Sequence, residues 1–549
     1  MWKRNLLFWS LCLIGVAAAA GTLLTGNRLT APRLFGGQTA LKPDAVATVA
    51  RVDAEFQASW QKEELTPAPR ADDFTIARRL SLALTGMIPS LEEVRALEAV
   101  PEEQRVDWWV DHLLSDRRYA DYFGERLARA YVGTENGPFL AYRRRRFVTW
   151  LGDRLHANDP YDKIVRDLIA DTGLWTGDPA VNFVTVTIDQ NKEGSPPDPA
   201  RLAGRTTRAF LGMRIDCLQC HDDRLGNVEL GTPDDPRGGT QRDFHGLAAY
   251  FGQTQSSPFG VSDDEDKVYR VKFLGETEEE VVPPLPPFDV ELAESEGTRR
   301  EQLAHWITSP ENKPFARATV NRVWALMCGR PLVDPVDDIP LYGPFPPGLE
   351  ALADDFSSHG YDVKRLIRII AATEAFQRDS RSEGEVTPLH ERRWAVFPVT
   401  RLRPEQVAGS LIQASSLRTI DADSNIVSKL LRFAQQGGFV NRYGDRGEEE
   451  LIDESGTATQ RLLMMNGDLV AERTKADGLT AAQKIAVLSP DDETAVETAY
   501  LTLLSRQPSD REKQHFVERL RGTTGPQRGD AMEDLYWVLV NSTEFSWNH

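Results

Sequence analysis

A chain of 549 residues is too long for one compact core and long enough for two to four domains. With 41% hydrophobic and 27% charged residues it has a globular composition, and a formal charge of -19 at pH 7 argues against nucleic acid as a partner. Its four cysteines, Cys12, Cys217, Cys220 and Cys328, are too few for a disulfide framework.

The chain opens Met-Trp-Lys-Arg and then runs from Leu6 to Leu24 without a charge, with small residues from Ala17 to Gly21. Residues 1–24 therefore read as a secretion signal, and equally as an uncleaved membrane anchor through residues 6–24; either reading exports the rest of the chain to a periplasmic or other extracytoplasmic compartment. Residues 25–70, with prolines at 32, 43, 67 and 69, read as a tether. Regular structure is expected from Asp72 onward, in a mainly α fold of two helical domains with long irregular loops and a few short strands. Phe74 to Leu84 has helical spacing, Gly86 and Pro89 break it, and Ser90-Leu91-Glu92-Glu93 is a capping box that opens the next helix. Helices follow near 105–114, 120–131, 144–155 and 161–170, and Asn182 to Ile188 alternates as a short strand would. Arg143 to Arg146 reads as a solvated helix face.

Arg201 to Ile215 is expected to be the helix that delivers Cys217-Leu218-Gln219-Cys220-His221. The pattern Cys-x-x-Cys-His is the signature of covalent haem attachment: two thiols at this spacing add to the two vinyl groups of one haem, and the histidine that follows ligates the iron. Cys217 and Cys220 would be the thioether anchors of one haem c and His221 the axial ligand. A zinc site would need two further ligands, drawn from Cys328 and a distant histidine, and a thioredoxin-like pair would need a helix opening at the first cysteine, where a helix closes here. Arg205, Arg208 and Arg214 are either a solvated face or bidentate partners of the haem propionates.

Asp222 to Gly239 is a loop rich in Asp, Gly and Pro, followed by an amphipathic helix from Asp243 to Phe251 that carries His245. Wrapping of that loop around a haem edge would make His245 the sixth iron ligand, ahead of Met87, Met327, Met464, Met465 and Met532. Residues 71–255 are read as the haem domain, 256–298 as a linker with a hairpin between Val268 and Val282, and 299–549 as a helical C-terminal domain. Helices are expected there near 299–308, 315–328, 348–357, 363–376, 404–414, 495–504, 511–519 and 532–540. One echo links the halves: Pro89-Ser90-x-x-Glu93 recurs as Pro508-Ser509-x-x-Glu512, as paired helices commonly require.

Leu84-Thr85-Gly86, Trp150 to Gly173, Phe210 to Asp222 and Gly246 to Phe251, followed by Ala318 to Val333, His359 to Phe376, Leu462 to Val470 and Ser505 to Glu512, resemble in content and order the planctomycete cytochrome c-type proteins, built from two consecutive domains of unknown function. The resemblance implies a haem but no settled activity. Relatives often continue the haem motif with a second histidine where this chain has Asp223, and carry an aromatic residue where it has His245. The expected function is that of an exported monohaem c-type protein transferring electrons to or from a redox partner protein. The alternatives are a haem-dependent oxidoreductase acting on peroxide or an exported substrate, and a scaffold in which haem staples the fold. The C-terminal half shows no nucleophile elbow, phosphate-binding glycine loop or metal-spaced cluster, which suits the last of these.

Overall fold

The structure, a computed structural model, describes residues 41–134, 142–189, 191–192, 195–232, 234–288, 296–420, 437–444, 447, 456–478 and 480–549. The charged start, the apolar run to Leu24 and the first part of the expected tether lie outside the described residues, and no helix among those described is long and apolar enough to cross a membrane. The chain is mainly α, and its described strands form only two-stranded pairs.

Helix α1 (Pro43–Lys62) occupies most of the stretch expected to be a tether. Its Ala45, Val52, Phe56 and Trp60 recur at helical spacing and are buried, while Pro43 stands at the first helical position, where the missing N–H costs no intrahelical bond. Helix α2 (Asp73–Thr85) opens on Asp72, whose carboxylate accepts from the amides of Phe74 and Thr75 at 3.0 Å each. It closes on Gly86 at φ +69°, where a Cβ would come within 2.3 Å of the Tyr122 ring. Ser90 and Glu93 form the expected capping box of α3 (Leu91–Glu98), and α4 (Arg105–Ser115), α5 (Arg117–Val132), α6 (Arg144–Ala157) and α7 (Tyr161–Ala170) follow.

The strand expected over 182–188 is helical instead: a 3₁₀ turn at Pro179–Val181 runs into a short α-helix, Asn182–Thr185. Every residue from Asn182 to Val186 is buried, so apolar alternation selects no face, and the Asn182 amide donates to the Pro179 carbonyl while its oxygen accepts from the Arg143 amide, both at 2.7 Å. The helix expected over 201–215 is shorter than its pattern: α8 (Pro199–Thr206) starts on an Asp198 cap, relaxes into a π-turn at Thr207–Leu211 and stops at Gly212 in the left-handed region. A hairpin of β1 (Glu229–Gly231) and β2 (Pro236–Gly238) precedes α9 (Gln241–Ala248). Two more hairpins follow, β3 (Thr254–Ser257) with β4 (Gly260–Asp263), and β5 (Arg270–Val271) with β6 (Glu280–Val281), the last inside the expected 268–282 span.

Helices α10 (Arg299–Ile307), α11 (Lys313–Cys328), α12 (Leu349–Ser358) and α13 (Val363–Ala372) complete the first core. Nearly every residue of α11 from Pro314 to Cys328 is buried, and its Trp324 stacks on Phe56 of α1 at 5.8 Å and meets Trp394 edge-on at 5.1 Å between ring centroids. One contiguous apolar core thus reaches from Ala45 to Phe397, so the packing does not divide at residues 256–298. It divides after Phe397. A second core from Leu402 to Phe545 joins α14 (Pro404–Ala414), α15 (Ala481–Leu488), α16 (Asp492–Leu504), α17 (Asp510–Leu520) and α18 (Gly525–Val540), with Leu82 and Ile88 inserted from the first.

The two cores meet through buried polar groups. Arg126 of α5 pairs with Glu405 at the start of α14, Arg403 donates to the Tyr122 hydroxyl at 2.8 Å, and Gln406 donates to the Leu82 carbonyl at 2.9 Å. Removal of one member of a buried ion pair leaves the other charge desolvated, so Glu405→Ala is expected to lower stability by about 3 kcal/mol in urea unfolding. A change under about 0.5 kcal/mol would show that this pair does not hold the cores together.

Candidate functional site

After Gly212 turns the chain, Ile215 is buried and a 3₁₀ turn, Asp216–Gln219, presents the cysteine-histidine motif. The turn is anchored by Leu218, which is fully buried, packs on Val228 and Gly239 and leaves no room for a Cβ at residue 239. With Leu218 pointing inward, Cys217, Gln219, Cys220 and His221 all face solvent, and the Cys220 amide donates to the Cys217 carbonyl at 3.3 Å, holding both thiols on one turn.

His221 is oriented by one bond: Nδ1 donates to the Asp222 carbonyl at 2.9 Å. No other described group meets its ring, so Nε2 is left with its lone pair directed to solvent. Metal-ligating histidines are commonly held this way, the second nitrogen tied to a carbonyl so that tautomer and ring plane are set.

Two aspartates that follow build the loop. Asp223 accepts from the amides of Leu225 at 3.0 Å and Val228 at 2.7 Å, and these amides hold its carboxyl below the usual carboxylate range. Asp222 accepts from the Gln241 amide at 2.8 Å, and the Gln241 side chain returns a bond to the Gln219 carbonyl at 3.1 Å. Helix α9 is itself started by a Thr240–Asp243 capping box; burial raises the Asp243 carboxyl, but two bonds from Arg237 at 2.8 Å and the Thr240 contacts outweigh it and leave the group ionised. Partial burial and then the Asp223 charge push the Cys217 thiol up, so it stays protonated at neutral pH.

His245, expected as a sixth ligand, is brought to the motif with both ring nitrogens bonded to protein groups. Only 5% exposed, it lies beneath the motif turn: Nε2 is 3.1 Å from the Gln219 carbonyl and Nδ1 is 2.9 Å from the Tyr269 hydroxyl. A carbonyl can only accept, so Nε2 carries the proton and Nδ1 accepts from Tyr269, whose own ionisation burial pushes up to about 12. Both nitrogens are engaged, and the side chain acts as a pin between α9, the motif and the β5–β6 hairpin. Met327 is buried in the first core and Met464 and Met532 in the second, Met87 is buried outside both clusters, and Met465 is exposed.

The three arginines have protein partners. Arg205 donates to the Tyr131 carbonyl at 3.0 Å, Arg208 to Asp216 at 2.7 Å beside Cys217, and Arg214 to Asp337 at 2.8 Å. Cys328 is fully buried with its thiol far above the ordinary range, which removes it from any zinc set with the exposed pair, and among the described residues no group of three or more His, Cys, Asp or Glu side chains is assembled for a metal ion. Beside the motif loop a cleft of about 220 Å³ opens between Met213, Asn227, Glu229, Asp338 and Tyr342.

Of the groups that shape this site, Asp216, Gln241 and Tyr269 carry no signal in the sequence pattern; the Asp222-Asp223 pair before a loop rich in glycine is the one cue that amides would be gathered there. Comparison with protein families matches residues 51–256 to a protein of unknown function, DUF1549, and residues 299–432 to a second, DUF1553. The chain therefore carries two consecutive domains of unknown function, the first ending just after α9 and the second beginning with α10. No curated protein and no solved structure is matched by the chain.

Burial lowers the pKa of His245, so the unfolded chain binds a proton there more readily than the folded one. Its contribution is present above the ordinary histidine pKa of about 6.5 and is lost as pH falls below it. In thermal unfolding between about pH 7 and pH 5, His245→Phe is expected to flatten the loss of stability while costing about 1–2 kcal/mol at pH 7 through the two vacated bonds. An unchanged pH slope would show that the histidine is not buried against the motif.

Proposed function

We propose that this protein is an extracytoplasmic electron carrier with one haem c, attached through Cys217 and Cys220 and ligated by His221. The observation that carries the reading is the shared exposure of the two thiols and the imidazole on one turn, with Nδ1 of His221 tied to a carbonyl and Nε2 unpartnered among the described residues. This donor set fits a c-type haem, and it fits neither a four-ligand zinc site nor a redox disulfide opening a helix. When bound, the haem would supply a reversible one-electron couple.

The chain's own residues do the rest. Leu218 fixes the turn from inside, Asp222 and Asp223 hold the loop that follows, and His245 holds the turn from below through the Gln219 carbonyl. Exposure at the attachment point favours exchange with a docked redox partner protein over chemistry in a closed pocket. The roles of Arg205, Arg208 and Arg214 are to brace the π-turn and motif against Tyr131, Asp216 and Asp337. Export rests on the uncharged run Leu6 to Leu24 after Lys3 and Arg4, and on the need of haem attachment for an extracytoplasmic compartment. The small polar cleft at Asp338 and Tyr342 favours a second reading, a haem-dependent oxidoreductase that takes a small polar substrate beside the motif.

Protein made with cytochrome c maturation machinery is expected to retain haem through denaturing electrophoresis and acid-acetone extraction. Cys217→Ser combined with Cys220→Ser should abolish the band; haem extractable from the wild-type chain would overturn the assignment. His221→Ala should change the reduced spectrum, while His245→Phe should leave ligation unaltered. A high-spin shift in His245→Phe would return His245 to the iron.

A further inference from the structure

The motif does not stand on a neutral surface. Residues 216–243 and 263–280 together carry fifteen acidic and six basic residues, a net of -9 out of the chain's -19, with the side chains of Asp243 and Asp263 buried against Arg237 and Arg300 and Asp216 paired with Arg208. Hydrogen bonds place the two segments side by side: the Gln241 side chain that donates to Gln219 in the motif also accepts from the Leu274 amide at 3.0 Å, and Arg242 forms two 2.8 Å bonds with Glu280 while lying within electrostatic reach of Glu276 and Asp222. Glu276, Glu278 and Glu279 project from the turn that follows Leu274 and are exposed.

Within this acidic surround three large apolar side chains stand in water, Val268 at 51%, Leu225 at 85% and Leu274 at 69% exposure, the last two on the motif loop and on the hairpin turn bonded to it. Exposed leucines inside a rim of net negative charge, next to a solvent-facing redox attachment point, form the arrangement of a transient docking face: charge steers the encounter and apolar contact sets the register. A second copy of this chain is repelled by the same charge, and nucleic acid likewise.

Resting on the electron-carrier reading, we infer that the partner is a redox protein whose own exposed cofactor edge is ringed by lysine or arginine, and that it docks over Leu274 and Leu225 with Glu276, Glu278 and Glu279 facing its basic rim. Glu280 is set apart from this role because it holds Arg242 against the hairpin.

The test uses the full chain with haem attached, a lysine-rich cytochrome c as cationic probe and the same cytochrome fully succinylated as its anionic counterpart. Binding by calorimetry and electron exchange by stopped flow are measured between about 20 and 200 mM salt. The cationic probe is expected to bind at low salt and weaken about tenfold or more over that range, and the anionic probe not to bind. Glu276→Lys, Glu278→Lys and Glu279→Lys combined should lower both affinity and exchange rate about tenfold, and Leu274→Ser should lower affinity with its salt slope retained. Three reversals on the second core, Glu493→Lys, Glu518→Lys and Asp530→Lys, should change either quantity less than about threefold. Equal loss in the two triple variants, salt-independent binding, or equal binding of the anionic probe would overturn the docking face. The binding arm is repeated on the haem-free Cys217→Ser, Cys220→Ser chain, which reads the surface alone. Binding there without haem in the wild-type chain would sink the carrier reading and leave the face standing; haem without binding would do the reverse.

Discussion

Everything in this molecule depends on the enclosure of α11. The helix has no polar stripe: from Pro314 to Cys328 nearly every residue is buried, and such a helix is stable only when covered on every side. Its few polar groups are spent on neighbours, Asn321 on both the amide and the carbonyl of Val333, and Arg322 on the Arg208 carbonyl. Cover comes from α1, α2, α12, Trp394 and the π-turn ahead of the motif. The helix belongs to the second of the two matched domains, and most of its cover to the first. A domain boundary drawn from sequence similarity is therefore not a boundary in packing, and the two domains are expected to fold as one cooperative unit up to Phe397.

That enclosure also places the site. Arg322 holds the backbone at Arg208, Arg208 holds Asp216, and Asp216 opens the turn that carries Cys217. A π-turn stores an extra residue in a helix, and here it lets the chain leave α8 at Gly212 in a direction that a continuous helix would not allow. The motif is thus a surface feature with a buried foundation: Leu218 and the Gln219 carbonyl face inward to the core and His245, and the reactive side chains face outward.

Asp223 and His245 are the two positions where the chain departs from the pattern it resembles. The carboxylate at 223 gathers amides of its own loop, and the imidazole at 245 fills the space below the motif while bonding both the Gln219 carbonyl and Tyr269. These are structural uses of polar side chains, with each donor and acceptor matched.

The amino-acid sequence by itself determined the helical class, the capping boxes at Ser90 and Ser509, the span of α14 and the Cys-x-x-Cys-His spacing of Cys217, Cys220 and His221. These are local: a cap, an apolar period or a ligand spacing is complete within a few residues. Only the tertiary structure decided that residues 43–62 form a core helix rather than a tether, that 182–185 is helical where apolar alternation promised a strand, and that one core holds residues from both sides of the 256–298 segment. Burial on all sides erases the period on which a strand or helix assignment depends, and Trp60, Phe56 and Trp324 meet only after the chain has folded across nearly half its length. The partners of His245 were beyond reach for the same reason. Spacing brought it near the motif, but whether its nitrogens point at a metal or at Gln219 and Tyr269 depends on contacts 24 and 26 residues away, which no pattern in the sequence encodes.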